Sequence, residues 1–66
     1  GEALTPREVE ILRLVAAGLG NQQIAEQLGV AVTTVRTHLS SMYEKLRLKS
    51  RVALALFAAQ AGDVGA

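Results

Sequence analysis

Five basic side chains, Arg36, Lys45, Arg47, Lys49 and Arg51, fall within residues 33–51 against a single carboxylate, Glu44. That segment carries a formal charge of +4, whereas residues 1–32 carry −2 and residues 52–66 carry −1. The net charge of +1 therefore hides a strong asymmetry. A block of one sign attracts a polyanion, and phosphate is the group that guanidinium and ammonium ions pair with most readily. The alternative reading of the same block is a solvated helix face. Hydroxyl side chains are interspersed with it or lie beside it: Thr33, Thr34, Thr37, Ser40 and Ser41. These residue types donate to phosphate and touch base edges.

Other chemistries find little support. Cysteine is absent, which excludes a disulfide staple and a thiolate metal site. His38 is the only histidine, so no multi-histidine metal site is available; a half-buried packing role or a phosphate hydrogen bond suits it better. Neither an acid/base pair nor a nucleophile beside a base is evident. Gly18-Leu19-Gly20 follows no strand and is not a nucleotide loop. We expect no enzyme activity, no metal and no cofactor.

With 66 residues, half of them apolar, the chain is expected to form one folded domain. A domain of this size buries only about 60% of the surface of its unfolded chain, so helix caps and a partner subunit matter. No apolar run approaches the roughly 18 residues of a membrane span. The opening Gly1-Glu2-Ala3 lacks an initiator Met and a basic leader. The expectation is a piece of a longer, cytoplasmic protein.

The elements that must position the basic block read as helices throughout. Leu4-Thr5-Pro6-Arg7-Glu8-Val9 is a helix start, with Thr5 as cap, Pro6 in the first turn, Glu8 completing a capping box and Leu4 with Val9 as staple. Ile11, Leu12, Val15 and Leu19 follow at helical spacing, and Gly18 and Gly20 predict an end near residue 17. Asn21 is expected to cap a second helix that turns Ile24, Ala25 and Leu28 inward and stops at Gly29. A third helix is predicted over residues 32–47, its apolar stripe being Val35, Leu39, Met42 and Leu46. Its other face carries Thr33, Arg36, Thr37, Ser40, Ser41, Glu44 and Lys45. Ser50 is expected to cap a fourth helix from Arg51 to Gln60, with residues 61–66 frayed. The fold class expected is all-α, a compact four-helix domain over residues 3–60 with a central helix-turn-helix.

The helix-turn-helix reading rests on a twelve-residue window. Two crossing helices need a small residue at the approach, supplied by Ala25, and one tolerant of positive φ at the turn, supplied by Gly29. Ile24, Leu28, Val30 and Val35 are the apolar anchors. In such motifs the N-terminal half of the second helix meets base edges in the major groove. Thr33, Arg36, Thr37 and Ser40 are the candidate base contacts, with Arg36 foremost because a guanidinium bonds both O6 and N7 of guanine. Asn21, Thr34, Lys45, Lys49 and Arg51 are the candidate phosphate contacts, Asn21 also serving as a plain helix cap.

Leu4-Thr5-Pro6-Arg7-Glu8, Asn21-Gln22-Gln23-Ile24-Ala25, Thr34-Val35-Arg36-Thr37-His38, Lys45-Leu46 and Ser50-Arg51 resemble, in order, the LuxR/NarL-type (GerE-like) DNA-binding domain of bacterial transcription regulators. The resemblance implies a four-helix effector domain under a regulatory domain N-terminal to it, with Arg36, Thr37 and Ser40 where the family's base contacts lie. It also implies pairing of two domains through the last helix. Three departures carry consequences. Thr33 and Ser40 stand where basic residues are frequent, which predicts weaker binding and a shallower salt dependence. Ala31 stands where Ser usually caps the third helix, a loss of about 1 kcal/mol unless Thr33 or Thr34 caps a shifted start. Arg47 replaces a usual Gly, so the helix is expected to run on or to end without a left-handed residue. The promoter-reading C-terminal domain of sigma factors is similar too, but typically ends soon after its recognition helix.

Val52-Ala53-Leu54-Ala55-Leu56-Phe57-Ala58-Ala59 is apolar on every face. Such a helix needs cover on more than one side. Val52, Leu56 and Ala59 are the candidate homodimer interface. Double-stranded DNA is the expected partner. The rival reading is a helical protein-docking module that binds through this same helix.

Overall fold

The computed structural model describes the backbone of residues 3–65 and the side chains of residues 3–60. Four helices follow one another, α1 (Pro6–Ala16), α2 (Asn21–Leu28), α3 (Val32–Leu46) and α4 (Arg51–Gly65), and no strand occurs among the described residues. α4 runs past the end expected at Gln60; the side chains of the segment expected to fray, 61–66, lie outside the described residues.

Local sequence explains each helix start. At α1, Glu8 N donates to Thr5 Oγ1 at 3.1 Å and Thr5 N donates to a Glu8 carboxylate oxygen at 2.8 Å, closing the capping box. At α4, Ala53 N donates to Ser50 Oγ at 3.1 Å. The start of α2 departs from expectation. Gly20, in extended conformation, is the cap residue, and its N–H donates to Gln23 Oε1 at 2.9 Å. Asn21 is already inside the helix, and its side chain serves elsewhere. α3 begins after Ala31, which offers no side-chain acceptor, and neither Thr33 nor Thr34 replaces it. Ala31→Ser is therefore expected to stabilise the fold by about 1 kcal/mol, read as a higher midpoint in urea with unchanged slope.

The first three helices end in one way. The residue after the turn donates back five positions, Leu19 to Leu14, Val30 to Ala25 and Leu48 to Tyr43, at 3.0–3.1 Å. This Schellman geometry needs a left-handed residue at the corner. Gly18 (φ 93°) and Gly29 (φ 71°) supply it at two ends. Arg47 supplies it at the third, with φ 56° and ψ 42°. The expectation that α3 would run on or end without a left-handed residue is thus corrected. The hydrogen bonds of Arg47 N to Glu44 O and Leu48 N to Tyr43 O impose the conformation although the residue carries a Cβ.

Packing pairs α1 with α4 and α2 with α3, while α1 also meets α2 and α3. Ile11, Leu12 and Val15 of α1, Ile24 and Ala25 of α2, Val35, Leu39 and Met42 of α3, and Leu54 and Ala58 of α4 form one core. Each large side chain among them contributes about 1.5–3 kcal/mol by leaving water. Ala25 is buried, α2 packs on α3, and Gly29-Val30-Ala31 is the link between them. Leu28, Val30 and Leu46 are half-buried at its margin.

One charged side chain enters this core. Glu8 is 2% exposed. Lys45, 16% exposed in its side chain, reaches it from α3 with Nζ 2.7 Å from the carboxylate. That hydrogen bond, together with the one from Thr5 N, holds the Glu8 carboxyl at a pKa of about 2, below its ordinary 4.5. Glu8 so caps α1 and ties α1 to α3 at once.

Candidate nucleic-acid interface

The N-terminal half of α3 presents Thr33, Thr34, Arg36, Thr37 and Ser40 on its exposed side. Their opposite face is the buried line of Val35, Leu39 and Met42, which fixes how α3 is turned. Among the described residues, Arg36 has no side-chain hydrogen bond and no ion pair, so its guanidinium is free for a ligand. Thr37 is different. Its hydroxyl donates to Thr33 O at 3.0 Å, which commits the proton and leaves the methyl group and the oxygen lone pairs outward. All four sequence-derived base contacts are brought to one surface.

The sequence-derived phosphate contacts divide into two groups. Thr34 and Lys49 are exposed. Asn21, Lys45 and Arg51 are half-buried and engaged within the protein. Arg51 Nη1 donates to Asn21 Oδ1 at 2.6 Å, and Nη2 donates to Leu19 O at 2.9 Å. This one guanidinium joins the start of α4 to the end of the α1–α2 link. Lys45 is held by Glu8. Both cations already spend donors on internal partners, two of Arg51's five and one of Lys45's three. The pairing spans 30 and 37 residues, and no local pattern in the sequence announces it. Arg47, which sequence reasoning placed in the charge block without a role, is exposed at the end of α3.

Along α4, Leu54 and Ala58 face the core while Val52 and Leu56 are 70% and 60% exposed. Ala59 is exposed beside them, so the three residues expected at an interface share one uncovered face. His38 is half-buried. No group of three potential metal ligands and no helix able to cross a membrane occurs among the described residues.

Comparison with known proteins fits this architecture. The family described as bacterial regulatory proteins, luxR family, matches residues 2–58. The nitrate/nitrite response regulator protein NarL of Escherichia coli (strain K12) is 47% identical over 57 residues, which is 86% of this chain and 26% of NarL. The response regulator protein VraR of Staphylococcus aureus is 42% identical over 59 residues, 89% of this chain and 28% of VraR. The crystal structure of the response regulator ChrA, from a heme-sensing two-component system, superposes with a TM-score of 0.84 at 42% identity, covering 91% of this chain and 30% of ChrA. The chain thus spans less than a third of these relatives. Helices, turn chemistry and sequence converge on one assignment, that this chain belongs to the luxR family and is a helix-turn-helix domain of the kind found in transcription regulators.

Proposed function

We propose that the domain binds double-stranded DNA sequence-specifically, with α3 in the major groove and Arg36, Thr33, Thr37 and Ser40 toward base edges. The observation that carries this reading is the free Arg36 guanidinium on the exposed N-terminal half of α3, flanked by hydroxyl residues. A bidentate guanidinium reads guanine, and a threonine methyl packs on the thymine methyl. Thr34 and Lys49 contact phosphates from the exposed side. Asn21 lies in the first turn of α2, where backbone N–H groups favour an anion, and Arg51 holds its side chain in place. Lys45 and Arg51 act chiefly from within, fixing α3 and α2. The chain serves as the effector part of a longer, cytoplasmic regulator; what supports the longer protein is that NarL and VraR, named as response regulators, are covered by this chain over only 26% and 28% of their length.

Titration against a random duplex at rising salt tests the reading. Binding should fall steeply, with a log–log slope of about −0.9 for each phosphate neutralised. A protein-docking module working through apolar surface would not bind the duplex, and its own association would barely respond to salt. Absence of any duplex binding at low salt would refute DNA recognition.

Two copies joined through Val52, Leu56 and Ala59 would bind an imperfect inverted repeat with half-sites about one helical turn apart. The exposure of Val52 and Leu56 supports this. Leu56→Lys is expected to leave the fold intact, because Leu56 packs on little within the domain. It should convert cooperative two-copy binding on an inverted repeat into independent binding at each half-site, seen in a gel-shift series as a faster-migrating single-copy complex that accumulates before the slower one. Retention of cooperative binding would argue for another contact between copies.

A further inference from the structure

Gly18, Gly29 and Arg47 occupy equivalent corners of three helix ends closed by the same hydrogen bonds, yet only the third carries a side chain. A left-handed conformation costs any residue with a Cβ more than it costs glycine. The helix-dipole attraction for an exposed cation at a C-terminus is screened and smaller than that cost. The side chain gains nothing inside the domain in return, since it is exposed and makes no hydrogen bond or ion pair among the described residues; only the backbone N–H is bonded, to Glu44 O, as the corresponding N–H is at the two glycine corners.

Helix rise shows where the residue lies. The Cα of Arg47 directly follows the last helical residue, Leu46, and lies 11 positions beyond that of Arg36, an advance of about 16 Å along the axis. Arg47 is exposed, as Arg36 and Ser40 are, whereas Val35 and Met42 are buried. Lys49, also exposed, stands two residues further on. Glu44 is the one carboxylate toward this side, about 80° round from Arg36. A helix about 22 Å long that reads bases with its first half brings its last turn to the edge of the groove, where phosphates line the duplex.

We propose that Arg47 is a DNA-phosphate contact at the far end of the reading face, and that its left-handed conformation is retained for that contact. The inference rests on the DNA-binding reading above and deepens it. Three variants of this chain, Arg47→Gly, Arg47→Lys and Arg47→Gln, would be compared in thermal melting and in duplex titrations at several salt concentrations. Arg47→Gly is expected to melt about 2–6 °C higher. At the same time it should bind a selected site and a random duplex about three- to tenfold more weakly, in equal proportion, with the salt slope reduced by about one. Arg47→Lys should keep parent affinity and parent melting. Arg47→Gln should lose affinity like glycine without the gain in melting temperature.

Opposite movement of stability and affinity is the signature, and a merely structural arginine would not show it. The proposal is overturned if Arg47→Gly leaves affinity and slope unchanged, if it melts no higher than the parent, or if it weakens the selected site alone. Failure of the parent chain to bind any duplex would overturn the DNA-binding reading itself, and this inference with it.

Discussion

Glu8→Ala is expected to destabilise the domain by about 3 kcal/mol and to lower Tm by roughly 12–24 °C. A domain of 66 residues has only about 3–10 kcal/mol in total, so the variant should be partly unfolded at growth temperatures. The size of the effect follows from what the carboxylate touches. It accepts from Thr5 N, completing the cap of α1, and from Lys45 Nζ, joining α1 to α3. Its removal strands one backbone donor and one ammonium at a buried site. Breaking a buried pair typically costs 3–5 kcal/mol, and the lower end applies because the Lys45 stem is flexible enough to swing its charge into water. Glu8→Gln keeps an acceptor for Thr5 N and should cost about half as much.

The same contacts fix the response to acid. The pKa of Glu8 is lowered from 4.5 to about 2, first by the Lys45 hydrogen bond and then by that of Thr5 N. A carboxyl depressed on folding adds stability that is complete above its unfolded pKa and disappears as pH falls through the folded one. Tm should therefore decline as pH is lowered from 4.5 toward 2. Glu8→Gln should lower Tm at pH 6 and flatten that decline. An identical decline in parent and variant would mean that other carboxylates govern acid unfolding.

Arg36→Ala should leave Tm nearly unchanged, because an exposed side chain without internal partners supports nothing. Its effect belongs to recognition. Loss of a bidentate guanine contact relaxes discrimination at one base pair by about 1–3 kcal/mol, or roughly five- to 150-fold. Selection of bound sequences from a random duplex library, run in parallel on parent and variant, measures this directly. One position of the half-site should lose its preference while the others keep theirs. Uniform weakening across all sequences would reassign Arg36 to the phosphate backbone.

The elements were legible where chemistry is local. Thr5, Pro6 and Glu8 announce the start of α1 because every partner lies within one turn. Gly18 and Gly29 announce helix ends because a positive φ favours glycine. Val35, Leu39 and Met42 fix the rotation of α3, and with it the outward placement of Arg36. What the sequence left open is long-range or set by the main chain. Lys45 and Arg51 look like any other cations of the block, and only folding brings Glu8 and Asn21 to them. Asn21 is a good capping residue by type, yet Gly20 takes the cap because the extended backbone and Gln23 are arranged one position earlier. Arg47 shows that terminal hydrogen bonds can impose a conformation that residue type argues against.

The pairing of α1 with α4 bears on how the chain matures during synthesis. Ile11 and Val15 emerge from the ribosome well before Leu54 and Ala58, which complete the core around them. Until about residue 58 is free of the exit tunnel, the nascent polypeptide has no way to close its apolar interior. A pause in translation within that interval would prolong a sticky intermediate, so chaperone capture of arrested chains should peak there and vanish once α4 has docked.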